Sequence, residues 1–337
     1  MKNWKKAMVA AMAGVMAIGT LTGCGGSGSS AASGSSAAAS SGSASGGDVK
    51  IAYIVKAKTD EFWTTMESGA YAAAEEKGVS LEFQAPEKET DVDKQVQMVE
   101  NAVVKGFDAI ILSAADSTSL IPSIVKANNA GIPVILVNDT IDMTELENQG
   151  GKVETYVGIS QYDAAAQAGT YAAENIEDGQ ICYLEGIPGV AALDDRLAGF
   201  KDQAPDFNII ASQTAKCDRN EAYNVMQNVL NANPEVNVVW AVNAEMGQGA
   251  IQAIEQMGST GKVSVFDFDA SSDDLAAIEE GSLAGTVAQY PNKQAEAAIQ
   301  ACLDALDGKE LEEHTETPSL LVTADNLDDY KTEMGIE

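Results

Sequence analysis

The 337-residue chain has a single histidine, His314, and only four cysteines. That is too little for histidine-based acid–base chemistry or a zinc cage. Basic residues are scarce as well: 20 Lys and Arg stand against 51 Asp and Glu, a net charge of −31. A polyanion repels DNA and RNA, whose binding depends on cations that displace counterions from phosphates, so nucleic-acid partners are excluded. No Gly-x-Ser-x-Gly elbow occurs. Gly247-Gln248-Gly249 lacks the third spaced glycine of a dinucleotide loop and falls within a helical stretch. Asp267–Ser272 lacks the glycine that a calcium loop needs at its sixth place. His314 sits in the acidic run Glu310–Glu316, far in sequence from any candidate nucleophile. The chain therefore reads as a non-enzyme with no metal or cofactor. What it does have is apolar material, 45% of residues, over a length that suits one large or two medium domains.

The first residues read as a leader. Lys2, Lys5 and Lys6 precede the apolar stretch Ala7–Leu21, which is too short to span a bilayer comfortably as a permanent helix. It ends in Leu21-Thr22-Gly23-Cys24, which resembles the lipobox of bacterial lipoproteins, whose cysteine is acylated and becomes the mature N-terminus. An ordinary signal peptide with a chance cysteine is the alternative. Residues 25–47 are nearly all Ser, Gly and Ala, a composition that cannot offset its ordering entropy and forms a flexible tether. Residues 1–23 hold three lysines and no acid, so the body keeps 17 basic and 51 acidic residues, a net charge of −34. Cys182, Cys217 and Cys302 are widely spaced and read as isolated small core residues rather than a bridged pair.

From Asp48 onward, short β-branched runs alternate with amphipathic stretches. The strand-like runs include Val49–Val55, Ser80–Phe83, Ala109–Leu112 and Val134–Val137 in the first half. Gln180–Leu184, Asn208–Ala211, Val236–Val242, Lys262–Phe266 and Gly285–Gln289 follow in the second. Helical patterning covers Trp63–Lys77, Val92–Lys105, Ser119–Asn128, Ala164–Asn175, Ala222–Ala232 and Gly247–Met257. This alternation predicts α/β architecture with parallel sheets and right-handed crossovers, and the continuously apolar runs predict strands covered on both faces. Phe107–Asp139 and Val236–Asp269 share one rhythm of strand, polar loop, helix, Gly turn, strand and polar end. Two similar lobes are expected. Ligands of open parallel sheets bind beyond the carboxyl ends of the strands, so two facing lobes make a cleft.

Polar side chains gather after these strands. Asp60, Phe62 and Trp63 follow the first; Ser113–Ser117 the third; Asn138 and Asp139 the fourth. In the second lobe, Gly186-Ile187-Pro188-Gly189 runs on to Asp194-Asp195-Arg196, and further strands end at Asn243, at Asp267–Asp269 and at Gln289. Asp, Asn, Gln and Arg beside aromatic faces suit a sugar, whose hydroxyls donate and accept while its C–H patches stack. Trp63 either stacks in this way or packs as a hydrophobic staple at its helix start.

In these stretches the chain resembles the ribose/galactose-type (type I) periplasmic sugar-binding proteins of ABC importers. Gly131-Ile132-Pro133-Val134 carries the resemblance, with Asp218-Arg219 ahead of Asn224-Val225-Met226-Gln227-Asn228-Val229-Leu230. Ala284–Gln289 and the pattern from Gly186 to Phe200 add to it. The resemblance covers about residues 48–325 and implies two doubly wound parallel-sheet lobes joined by three crossovers, near Ile159, Gln289 and Pro318. On this basis residues 1–23 are the leader and 24–47 the tether. Residues 48–159 plus 290–317 form the N-terminal lobe, and 160–289 plus 318–337 the C-terminal lobe.

The resemblance also implies ligand contacts at Asp60, Phe62, Asn138, Arg196, Asn243 and Asp269, as in galactose members, and at Gln289, as in ribose members. Departures bear on the cargo. Asp139 and Asp194 stand where ribose members carry arginines; Val190 and Ala192 replace a His and an Asp of galactose members; Cys217 replaces their second stacking aromatic. Near some galactose members' calcium loop, Ile176 would fill the third ligand place and cannot coordinate. With Asp60, Asp139, Asp194 and Asp269 all facing Arg196, the pocket would carry a formal −3. Such a pocket should reject sugar acids and phosphates and favour a neutral monosaccharide, a polyol or an amino sugar. The implied setting is extracytoplasmic, held to the bacterial membrane by a lipid on Cys24, with an ABC permease and its ATPase as partners. The alternative is a surface receptor of the same fold, sensing a furanone, nucleoside or amine for a signalling partner.

Overall fold

The computed structural model describes residues 49–336. The leader, Cys24 and the tether lie outside the described residues. The first part of the body runs β1 (Lys50–Ile54), α1 (Glu61–Lys77), β2 (Ser80–Gln84), α2 (Val92–Lys105), β3 (Ala109–Leu112) and α3 (Ile121–Asn129). It continues through β4 (Val134–Val137), α4 (Met143–Asn148), β5 (Thr155–Gly158), α5 (Gln161–Asn175), β6 (Gln180–Glu185) and α6 (Ala191–Gln203). Then come β7 (Asn208–Thr214), α7 (Arg219–Ala232), β8 (Val238–Ala241), α8 (Ala244–Gln256), β9 (Ser264–Phe268) and α9 (Ser272–Glu280). The last elements are β10 (Gly285–Ala288), α10 (Pro291–Leu306), β11 (His314–Glu316), β12 (Leu320–Val322) and α11 (Leu327–Met334).

The strands form two six-stranded sheets, ordered β11-β5-β4-β3-β1-β2 and β12-β10-β9-β8-β6-β7. Among the described residues every pairing is parallel except β10 with β12. The central strands β3, β4 and β8 are buried at every position, because helices cover both faces of the sheet. Two apolar layers flank the first sheet, one gathering Met66, Val137 and Ile299, the other Val99, Leu120 and Leu136. A third cluster, including Phe200, Met226 and Trp240, fills the second lobe. The fold is thus the pair of parallel-sheet α/β lobes that the sequence implies.

The chain passes from the first sheet to the second between β5 and α5, returns between β10 and α10, and crosses again between β11 and β12. Helix α10 packs on β3, β4 and β5, whereas α5 packs on α6, β10 and β12. The α5–α6 contact is close: a Cβ on Gly199 would collide with the Tyr162 carbonyl, and one on Gly169 with that of Phe200.

Several elements differ from the sequence reading. The run expected over Lys262–Phe266 is displaced to Ser264–Phe268, because Asp267, fully buried, sits inside the strand instead of ending it. Strand β7 runs on through the polar residues Ser212-Gln213-Thr214, which are tolerated at a sheet edge. Helix α8 starts three residues earlier than expected, where the Asn243 side chain accepts the Met246 N–H at 3.1 Å and caps it. Residues 191–203, for which the sequence reading names no element, form a helix.

Candidate functional site

The carboxyl ends of both sheets meet around a polar pocket. The first lobe lines it with Lys56, Asp60, Phe62, Trp63, Glu89 and Asn138. The second contributes Leu193, Arg196, Cys217, Asn243 and Asp269, and Gln289 enters from a connection between the lobes.

The backbone is held in unusual conformations here. Positive φ occurs at Asn138 (61°), Cys217 (58°), Asp269 (103°) and Tyr290 (49°), none of them glycine. Such angles cost free energy and persist where surrounding structure fixes them, which is common at ligand sites. At β4, the turn aims the Asn138 carbonyl at two donors, Tyr156 Oη at 3.0 Å and Gln161 Nε2 at 2.9 Å.

Arg196 is the anchor of the second lobe and is only 3% exposed. On α6, Leu193, Arg196 and Phe200 fall on one helical face, which turns inward. Arg196 Nε donates to Gln161 Oε1 at 2.8 Å, and Nη1 donates to the Val242 carbonyl at 2.9 Å. Its Cζ lies 3.9 Å from the Phe268 ring centroid, and Nη1 is 3.6 Å from Asp269 Oδ1. The Nη2 donors have no hydrogen-bond partner among the described residues and are available to a ligand. Asp269 also accepts from Gln289 Nε2 at 2.5 Å and from the Ala244 N–H at 3.4 Å. Burial raises its pKa, while Arg196 and Gln289 pull it down.

The first lobe carries a cation that the sequence reading did not anticipate. Lys56 is 3% exposed, and its Nζ donates to Asp139 Oδ1 at 3.1 Å and lies 3.7 Å from Glu89 Oε2. Burial works against its charge, but Asp139 and Glu89 overcome this and hold the ammonium above its ordinary pKa. Glu89 is fixed in turn by Trp63, whose Nε1 donates to Glu89 Oε1 at 2.9 Å. Trp63 is 2% exposed and packs edge-on against Phe62, with centroids 4.8 Å apart. It serves both the core and the site.

Two sequence-expected positions do not line the pocket. Asp194 lies on the outer face of α6, exposed next to Asp195, because helical phase points Leu193 and Arg196 inward instead. Asp139 is buried, but beneath the pocket: it accepts from Lys56, from Ser113 Oγ at 2.5 Å and from Asn138 Nδ2 at 3.1 Å. The −3 balance is corrected accordingly. Lys56 and Arg196 face Asp60, Glu89, Asp139 and Asp269, a formal −2 with each cation already matched to carboxylates. Asp60 is the one of these carboxyls with no cation beside it among the described residues, and it caps α1 instead. In sequence Lys56 and Glu89 both look like loop residues, Lys56 just after β1 and Glu89 after β2.

Asp60 caps α1 by accepting the Trp63 N–H at 3.2 Å. Burial, with Glu89 and Asp269 close by, pushes its pKa up to about 8. A carboxyl whose folded pKa is raised binds more protons folded than unfolded, so stability declines as pH rises from the unfolded value towards about 8. Thermal denaturation of the ligand-free protein should therefore show Tm falling between pH 5 and pH 8.5, and Asp60→Asn should flatten that slope. An unchanged slope in the variant would show that Asp60 is not the group responsible.

A family profile for the periplasmic binding protein domain matches residues 51–310. The chain is 30% identical to the ribose import binding protein RbsB of Bacillus subtilis over 275 residues, covering 81% of this chain and 87% of that one. It is 31% identical to the fructose import binding protein FruE of Bifidobacterium longum over 325 residues, covering 95% and 94%. Among solved structures, an ABC transporter periplasmic solute-binding protein from Actinobacillus succinogenes with bound D-allose superposes with a TM-score of 0.80. That protein is 33% identical to this one, with 84% of this chain and 100% of the other covered. By this match and these relatives, the chain belongs to the periplasmic binding protein family.

Proposed function

We propose that the protein captures a neutral monosaccharide between its lobes and delivers it to an ABC importer. The observation that carries this reading is the polar pocket at the carboxyl ends of both sheets, lined by side chains of both lobes. Phe62 offers an aromatic face, Arg196 Nη2 offers free donors, and Asn138, Asn243, Asp269 and Gln289 surround them. The relatives are import binding proteins for ribose and fructose, which favours import over a signalling receptor. Family membership supports an extracytoplasmic setting, with a permease and its ATPase as partners. The lipid on Cys24 and the tether of residues 24–47 would hold the lobes at the membrane. Among the described residues no helix is long and apolar enough to cross a membrane.

The lobes, residues 48–159 plus 290–317 and 160–289 plus 318–337, close as two bodies about the three connections. Two clasps already bridge them. On one flank, Glu61 accepts from Ser272 N at 3.0 Å and from its Oγ at 2.5 Å. On the other, Ser117 donates its N–H to the Gly189 carbonyl and its Oγ accepts the Ala191 N–H, both at 3.0 Å. Apparent affinity scales with the population of the binding-competent state, so weakening a clasp raises Kd without touching the sugar. Because Glu61 and Ser272 are exposed, Glu61→Ala should raise Kd by roughly three- to tenfold in calorimetry. An unchanged Kd would mean that the clasp does not bias closure.

A thermal-shift panel of aldopentoses, aldohexoses, ketoses and polyols, with sugar phosphates and nucleosides as controls, tests the reading. Stabilisation by at least one neutral sugar is expected; stabilisation by nucleosides alone would overturn it.

A further inference from the structure

A second, larger chamber of about 330 Å³ adjoins the first pocket. Asp60, Phe62, Asn243 and Asp269 line both spaces and form the shared wall. The opposite side of the chamber is different in character: Pro291 at the start of α10 is joined by Tyr330, Met334 and Ile336 from the C-terminal end of the chain. That end is built onto the body rather than loosely attached. Lys331 pairs with Glu279 of α9 at 2.6 Å, and Glu333 with Lys293 of α10 at 3.1 Å. The Tyr330 ring also packs against Tyr290, with centroids 5.9 Å apart.

The acidic residues on this side are already engaged. Glu61 is held by Ser272, and Glu245 accepts from Arg219 Nε at 2.8 Å and Nη2 at 3.0 Å. Asp269 is bonded to Gln289 and Ala244. Asp60, on the shared wall, has no cationic partner among the described residues, so these carboxylates together would repel an anion. What the chamber offers is mostly apolar surface, set against the four residues that it shares with the polar pocket.

We propose that this chamber is a second subsite, which takes an uncharged apolar substituent carried by the sugar in the inner pocket. The protein then accepts simple glycosides as well as free monosaccharides. This rests on the sugar reading above, and the two can fail separately. The test is calorimetry with the best free sugar of the panel and with its methyl and phenyl glycosides of both anomers.

One phenyl glycoside should bind at least as tightly as the free sugar. The double variant Met334→Ala, Ile336→Ala should weaken that glycoside about tenfold while moving the free sugar by less than about twofold. Ile336 is exposed and Met334 only half-buried, so this variant should fold. If both phenyl glycosides bind more than about tenfold weaker than the free sugar, or if the double variant leaves glycoside binding unchanged, the subsite is overturned and the sugar reading stands. If no free sugar or glycoside binds, both fall.

Discussion

Replacing Arg196 with alanine should abolish detectable sugar binding and lower stability by about 3–5 kcal/mol. Both effects have one cause. The guanidinium stands between Gln161, the Val242 carbonyl and Asp269, with its planar face on Phe268. Its removal leaves Asp269 buried without its nearby positive charge, and the free Nη2 donors are lost to the ligand. A buried pair broken on one side is far more damaging than one removed whole, so a second variant separates the contributions. Arg196→Lys keeps the charge but not the fork. It should recover much of the thermal stability while affinity stays reduced, since an ammonium cannot serve Gln161, Val242 and a hydroxyl from one plane. Denaturant unfolding and calorimetry of both variants check this; a lysine variant that binds normally would show that the donor fork is not what holds the sugar.

Lys56→Met should be nearly as severe, again by about 3–5 kcal/mol, because Asp139 and Glu89 would lose the cation between them. Asp139 keeps its bonds from Ser113 and Asn138, yet in a dry setting these do not replace an ammonium. The double variant Lys56→Met, Asp139→Asn removes both charges of the closer pair. Replacing a buried pair with uncharged groups is often close to neutral, so the double variant should regain most of the lost stability. Sugar affinity should stay low in both, since Lys56 and Asn138 line the pocket together. If the double variant is as unstable as the single one, then the pair is not the source of the loss.

The difference between what the sequence conveyed and what it hid has a physical basis. Strands such as Ala109–Leu112 and Val134–Val137 are legible because helices bury both faces and leave unbroken apolar runs. The three-residue strands β11 and β12 have no such signal; only tertiary pairing, with β5 and β10, makes them strands. Within the site, residues placed directly at strand ends or helix caps, such as Asp60, Asn138 and Asn243, were legible from position alone. Asp194 and Arg196 were not separable until α6 was known to be helical, since two residues of spacing on a helix puts them on different faces. Lys56 was hidden for a different reason. A buried lysine is explained only by its carboxylates, and those stand 33 and 83 positions away in the chain. The composition suggested an acidic pocket; the three-dimensional pairing gives Lys56 and Arg196 carboxylate partners and leaves Asp60 as the carboxyl without a cation among the described residues.

A crystal structure of the protein with the strongest sugar of the panel tests the central claim most directly. The account predicts one sugar ring in the pocket between the lobes, hydrogen-bonded to Arg196 Nη2 and to Asn243 or Asp269 on one side. On the other side it should reach Asn138 or Lys56, with Phe62 against a ring face. A sugar bound to one lobe alone, or lying wholly outside this pocket, would contradict it.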